Sequence, residues 1–344
     1  MPEMRNLARA VLALAALLAM PTVTMATPSD ETLLRLAAEA EKSGSVIWYE
    51  SSPDDQAAKI AAAFNKRFPK VKLEHVRDAG GNSIAARIIQ ESQAGSRTAD
   101  IATSGASLLT PLAERNLLVK VDWSELGIGP EVAHNEYGVL TTAVFTVIVY
   151  NTQLVKEADA PKNWEDLLNP RWEGKIGIWV RSEGQASLAE KWGEKKVADY
   201  IVKMNGLHPL IEKSTFPLAQ QVAAGETQVA LGLYHSAQPA LQKGAPIKVV
   251  VPDPAAINAL YSFIPAKGGN IKGGELLALW LATPEGAKAY EDATGRGNPA
   301  VPGTRTREML KDHTISVFPI EQAAREAELV EKFNKLIADG GKPR

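Results

Sequence analysis

Arg181 stands in the run Trp179-Val180-Arg181-Ser182. Its planar guanidinium can grip a carboxylate or phosphate through two parallel hydrogen bonds, which a lysine cannot do. Next to Glu183 it reads equally well as an exposed arginine in a local ion pair. Small polar side chains gather where apolar runs give way to helix starts, at Ser51 and Ser52, Asn82, Ser104, and Ser214-Thr215. Ser182 and Asn258 complete this set of ligand-binding candidates. In open α/β sheets the carboxyl ends of strands meet helix N-termini, whose bare N–H groups favour anions or oxygen-rich ligands. Simple helix capping accounts for Ser214 and Thr215 equally well. Trp48 and Tyr49 could stack on a ligand or serve as core aromatics.

Other chemistries lack their residues. The chain has no cysteine, which removes thiolate catalysis and every cysteine-based metal site. It contains no Gly-x-Ser-x-Gly elbow, no phosphate loop, no Gly-x-Gly-x-x-Gly turn and no His-Glu-x-x-His zinc helix. The five histidines, His75, His134, His208, His235 and His313, are scattered. A formal net charge of −2 offers no basic footprint for nucleic acid. The expectation is a binding protein, with no enzymatic activity and no cofactor.

The elements that would position these residues alternate between helical and strand periods, as in an α/β protein with a mostly parallel sheet. Ser29–Lys42 reads as a helix stopped by Gly44, and Val46–Tyr49 as a first buried strand. Ser52-Pro53-Asp54-Asp55 opens a second helix, with Ser52 as cap and Pro53 as first helical residue. Strands at 71–75 and 99–103 each pass to a helix, the second through a turn at 104–107. Val139–Tyr150 is too long for a typical buried strand and reads as a segment crossing between two lobes. A second set of units follows, and Ser262–Ile264 returns the chain to the first lobe.

Arg5 and Arg9, the apolar run Ala10–Met20, and the small residues Thr24 and Ala26 form the parts of a secretory signal. Cleavage is expected after Ala26; an uncleaved anchor is the alternative. The apolar run is well short of the roughly twenty residues that cross a bilayer.

Several stretches, in order, carry a family resemblance. They are Gly44-Ser45-Val46-Ile47-Trp48-Tyr49-Glu50-Ser51-Ser52, Ala61–Pro69, Val149-Tyr150-Asn151-Thr152-Gln153-Leu154-Val155, Pro161–Leu168 with Trp172-Glu173-Gly174-Lys175-Ile176, and Thr283-Pro284-Glu285-Gly286-Ala287. Together they resemble family 1 extracellular solute-binding proteins, in the branch of ferric-ion, sugar-phosphate, phosphonate and thiamine receptors. The resemblance implies a type II periplasmic-binding-protein fold, two discontinuous α/β lobes with a ligand cleft between them. The expected division is 27–139 with 253–305, and 140–252 with 306–344, the C-terminal helix packing on the second lobe. It further implies a periplasmic monomer that delivers a small molecule to the permease of an ABC importer. A sensor that presents its ligand to a receptor kinase is a different reading of the same sequence.

The favoured ligand is a small organic anion, such as a carboxylate, phosphonate or phosphate ester. Ferric receptors of this branch use an adjacent tyrosine pair, and phenolate suits a hard cation. At the corresponding place this chain has Leu233-Tyr234-His235-Ser236, with a single tyrosine. Tyr234 and His235 are the candidate ligands if iron is bound. Tyr234 reads otherwise as a core residue at a strand end.

Overall fold

The computed structural model describes residues 27–78 and 82–340, so the expected signal peptide lies outside the described residues. The chain opens with α1 (Asp30–Ala40), where Ser29 Oγ accepts from Thr32 N at 3.1 Å and Leu33, Leu36 and Ala40 form the buried face. There follow β1 (Val46–Glu50), α2 (Asp54–Arg67), β2 (Leu73–Arg77), α3 (Asn82–Gln93), β3 (Ile101–Gly105) and α4 (Leu109–Ala113). β1 lies between β2 and β3, parallel to both.

Two local expectations need correction. Pro53 occupies the cap position of α2, its carbonyl accepting from Gln56 N and Ala57 N. Ser52 does not cap, because its N–H is drawn to the Glu50 carboxylate at 2.6 Å. Nor is Ser104 in a turn. Antiparallel pairing with Tyr261 extends the strand through Ser104 and Gly105, and the turn begins at Ala106.

After the short β4 (Ala133–His134), the suspected crossing segment is one strand, β5 (Gly138–Asn151). Next come β6 (Ile176–Trp179), α5 (Glu183–Trp192), α6 (Glu194–Asn205), β7 (Leu210–Glu212), α7 (Thr215–Ala224), β8 (Val229–Leu233), α8 (Tyr234–Gln242) and β9 (Ile247–Val250). The chain ends with β10 (Ala255–Phe263), α9 (Ile271–Leu281), α10 (Pro284–Thr294), α11 (Arg305–Leu310), β11 (Ile315–Ser316) and α12 (Ala323–Ala338).

The strand order β2-β1-β3-β10-β5-β8-β6-β7 runs through both halves of the molecule. β5 is the shared member: Gly138–Phe145 pair antiparallel with β10, and Thr146–Tyr150 with β8. A strand buried along nearly its whole length must be largely apolar on both faces, which explains its richness in β-branched and aromatic residues.

Each half has its own core. Trp48, Phe64 and Trp280 centre the first, in which α9 is buried on every side from Gly273 to Leu281. Gly274 is required there, since a Cβ would stand 2.1 Å from the Asp100 carbonyl oxygen. The second half is built on Trp164, Tyr200 and Phe333, and on Phe145, Val147 and Leu218. α12 contributes Leu329, Phe333 and Ile337 to it.

Candidate functional site

A cavity of about 310 Å³ lies between the two halves. Its floor comes from the two strands that join them. Val144 and Thr146 of β5, and Ala256, Asn258 and Leu260 of β10, line it at alternate positions, as residues on one face of a sheet must. Asn258 and Val144 are directly paired across the ladder. The floor is thus mainly apolar, with one amide and one hydroxyl.

The walls are mostly strand-to-helix junctions. From the first half come Ser51, just past β1, and Arg296, just past α10. From the second come Trp179 and Arg181 leading into Glu183 and Gly184 of α5, Lys213 to Phe216 entering α7, and Leu233 with His235 entering α8. The first N–H groups of a helix have no partner within it. At α5 the cap residue Ser182 spends its hydroxyl elsewhere, and at α8 the cap position holds Leu233, which cannot accept. Only Ser214 before α7 caps, weakly, accepting from Phe216 N at 3.4 Å. Donor-rich helix ends therefore face the cleft from the second half.

Arg296 is set by a buried network. Its Nη1 stands 3.5 Å from Glu50 Oε1 and 3.4 Å from Ser51 Oγ. The Glu50 carboxylate, 1% exposed, also accepts from Tyr290 Oη at 2.9 Å and from Ser52 N. Burial, then the charge of Glu50, pushes the Tyr290 phenol well above its usual range, so it stays a donor. Arg181 forms an ion pair with Glu183 and its guanidinium lies 5.2 Å from the Trp179 ring.

His235 is buried against the cavity, edge-on to Phe216 at 5.7 Å. Its Nε2 lies 3.3 Å from Ser236 Oγ, which is bonded in turn to Thr215 Oγ1 at 2.5 Å. Nδ1 has no hydrogen-bond partner. Desolvation, helped by the Arg296 charge, drives this imidazole well below 6.5, so it is neutral at physiological pH.

Comparison with known proteins fixes the class. The family described as bacterial extracellular solute-binding protein matches residues 96–323. The chain belongs to this family. Among solved structures it is similar to iron-bound HitA from Pseudomonas aeruginosa, with a TM-score of 0.70 and 19% identity over 84% of this chain and 99% of that one. AfuA from Actinobacillus pleuropneumoniae, bound to fructose-6-phosphate, gives a TM-score of 0.69 at 21% identity over 86% and 99%. The Mannheimia haemolytica ferric iron-binding protein A in an open conformation gives 0.66 at 14% over 87% and 100%. These likenesses establish the two-lobed fold of periplasmic binding proteins. An uncharacterized protein of Haemophilus influenzae is 31% identical over 138 residues, which span 37% of this chain and 39% of that relative.

In this solute-binding protein the candidate residues separate clearly. Ser51, Arg181, Thr215, Asn258 and His235 all line the cleft. Arg181 reaches the cavity while paired to Glu183. Four candidates are taken up elsewhere and do not line it. Ser52 is buried behind Ser51, and Ser104 is buried in β3 beside Tyr261. Ser182 Oγ bonds to Val330 O at 3.0 Å and Asn334 Oδ1 at 2.9 Å, and so pins α12. Tyr234 is buried and stacked on Phe145 with ring centroids 5.0 Å apart. Asn82 opens α3, and its side chain lies outside the described residues. Arg296 and Lys213 are cleft cations that sequence reasoning missed.

Proposed function

We propose that this solute-binding protein of the ABC-transporter type captures a small organic anion in the cleft between its lobes and carries it to a membrane permease. The observation that carries this reading is the convergence of Arg296 from one lobe, Arg181 and Lys213 from the other, and poorly capped helix starts on one cavity. The lobes divide as 27–139 with 253–305 and 140–252 with 306–344, hinged on β5 and β10, and the mature chain begins after Ala26 as a periplasmic monomer.

A ferric ion suits this donor set less well. Tyr234 packs into the core, burial raises its phenol above the ordinary 10.0, and His235 remains as a soft, neutral donor. Titration with the anion that co-purifies with the protein tests the proposal. Binding should raise the melting temperature by mass action and contract the radius of gyration in small-angle scattering as the lobes close. A ligand of micromolar affinity that leaves the radius unchanged would refute the hinged cleft.

A further inference from the structure

Two of the three cations at the cavity arrive already neutralised by carboxylates of this chain. Arg181 is paired with Glu183, which sits in the first turn of α5 and so also compensates the positive end of that helix. Arg296 faces Glu50 at 3.5 Å. Lys213 has no carboxylate partner among the described residues. It directly precedes Ser214 and Thr215 at the entry to α7, beside the uncapped start of α8. The buried, unpartnered Nδ1 of His235 belongs to the same corner.

A hydroxyl chain runs from Thr215 through Ser236 to His235 Nε2, and its direction sets the imidazole's tautomer. If Thr215 donates to Ser236 and Ser236 donates to His235 Nε2, the neutral ring carries its proton on Nδ1 and offers a donor. This corner therefore supplies one full positive charge and poorly capped helix N–H groups, with the neutral His235 ring beside them. Elsewhere the cavity offers neutral or self-neutralised polar groups, Ser51, Asn258, Thr146 and the two ion-paired arginines, above an apolar floor.

Building on the anion reading, we infer that the ligand is a monoanion, a small hydroxylated monocarboxylate whose charge is met at the Lys213–Thr215–His235 corner. Its hydroxyls face Ser51, Asn258 and the paired arginines, and its carbon skeleton lies on Val144, Leu233 and Leu260. A phosphate ester carries about two charges at neutral pH. Its second charge would have to compete with Glu183 or Glu50 for an arginine that is already paired.

The test uses two matched trios of probes on the full mature chain. One is glucose, glucuronate and glucose 6-phosphate; the other is benzyl alcohol, benzoate and phenyl phosphate. Within each, the carbon body is similar and the charge steps from neutral to one to about two. Thermal-shift titration at low salt should show the largest stabilisation for a carboxylate, and Lys213→Met should weaken that carboxylate at least tenfold while the protein melts as before. Glu183→Gln, which releases Arg181, should move the preference toward the phosphate.

A phosphate that stabilises the unmodified protein more than its carboxylate partner overturns the inference, as does Lys213→Met binding carboxylates undiminished. Stabilisation by the neutral members but by no anion would instead overturn the anion reading on which it rests.

Discussion

Arg296→Met is the substitution whose consequences the buried network fixes most tightly. It strips the guanidinium from a Glu50 carboxylate that is 1% exposed and 3.5 Å away. At an effective dielectric constant of about 20, two unit charges at that separation attract by about 5 kcal/mol. Tyr290 Oη and Ser52 N would still donate to Glu50. Those bonds are common to both proteins and cancel; what offsets part of the loss is that the desolvation cost of the guanidinium is removed with it. The net cost should be about 2–3 kcal/mol, at or below the roughly 3–5 kcal/mol usual when one partner of a buried pair is removed. Glu50→Gln in the same chain removes the stranded charge, and the double variant should recover about 1.5–3 kcal/mol relative to additivity. Urea unfolding followed by tryptophan fluorescence reads this directly, because Trp48 lies 6.2 Å from Tyr290. If Arg296→Met unfolds within about 0.5 kcal/mol of the unmodified protein and the cycle shows no coupling, Glu50 does not hold Arg296 as described.

Other outcomes follow from the same contacts. Arg181→Ala should cost about 1 kcal/mol of affinity for the co-purified anion by titration calorimetry, because the side chain is half exposed and already paired to Glu183, and adding Glu183→Gln should restore some of it. Ser182→Ala should lower stability by about 1 kcal/mol in urea without altering affinity, because it removes the hydroxyl's bonds to Val330 O and Asn334 Oδ1, leaves the residue 182 N–H on Asn334, and touches nothing in the cleft. His235 is held neutral in the folded protein, with its pKa well below the ordinary 6.5, so under acid conditions the unfolded chain takes up a proton that the folded one does not. Its contribution to stability is complete above about pH 6.5 and falls as pH drops below it, with His134 acting in the same direction. His235→Gln should therefore show a shallower loss of urea midpoint between about pH 6.5 and pH 5.

Local pattern carried most of the architecture. Helices and strands were legible because their apolar periods, caps and stop glycines are short-range signals, as at Ser29, Gly44 and the Val229–Leu233 strand. The length of the Val139–Tyr150 run even signalled a segment serving two lobes. The cleft was legible mainly where it is built from strand-to-helix junctions, which is how Ser51, Arg181 and Thr215 were found; Asn258 of β10 is the floor residue that was also anticipated. Its other half is long-range. Arg296 reaches Ser51 across 245 residues of sequence, and no local spacing announces it. Ser182 looked like a cleft hydroxyl, yet Asn334, 152 residues away, claims it. Tyr234 was ambiguous because the end of a buried strand can point to core or cleft, and stacking on Phe145 decides for the core.

Native mass spectrometry of protein purified from its own cells without refolding tests the central claim most directly. The account predicts a bound small organic acid, released when Arg296 and Lys213 are both neutralised. A bound ferric ion, or a neutral or cationic solute retained by that double variant, would contradict it.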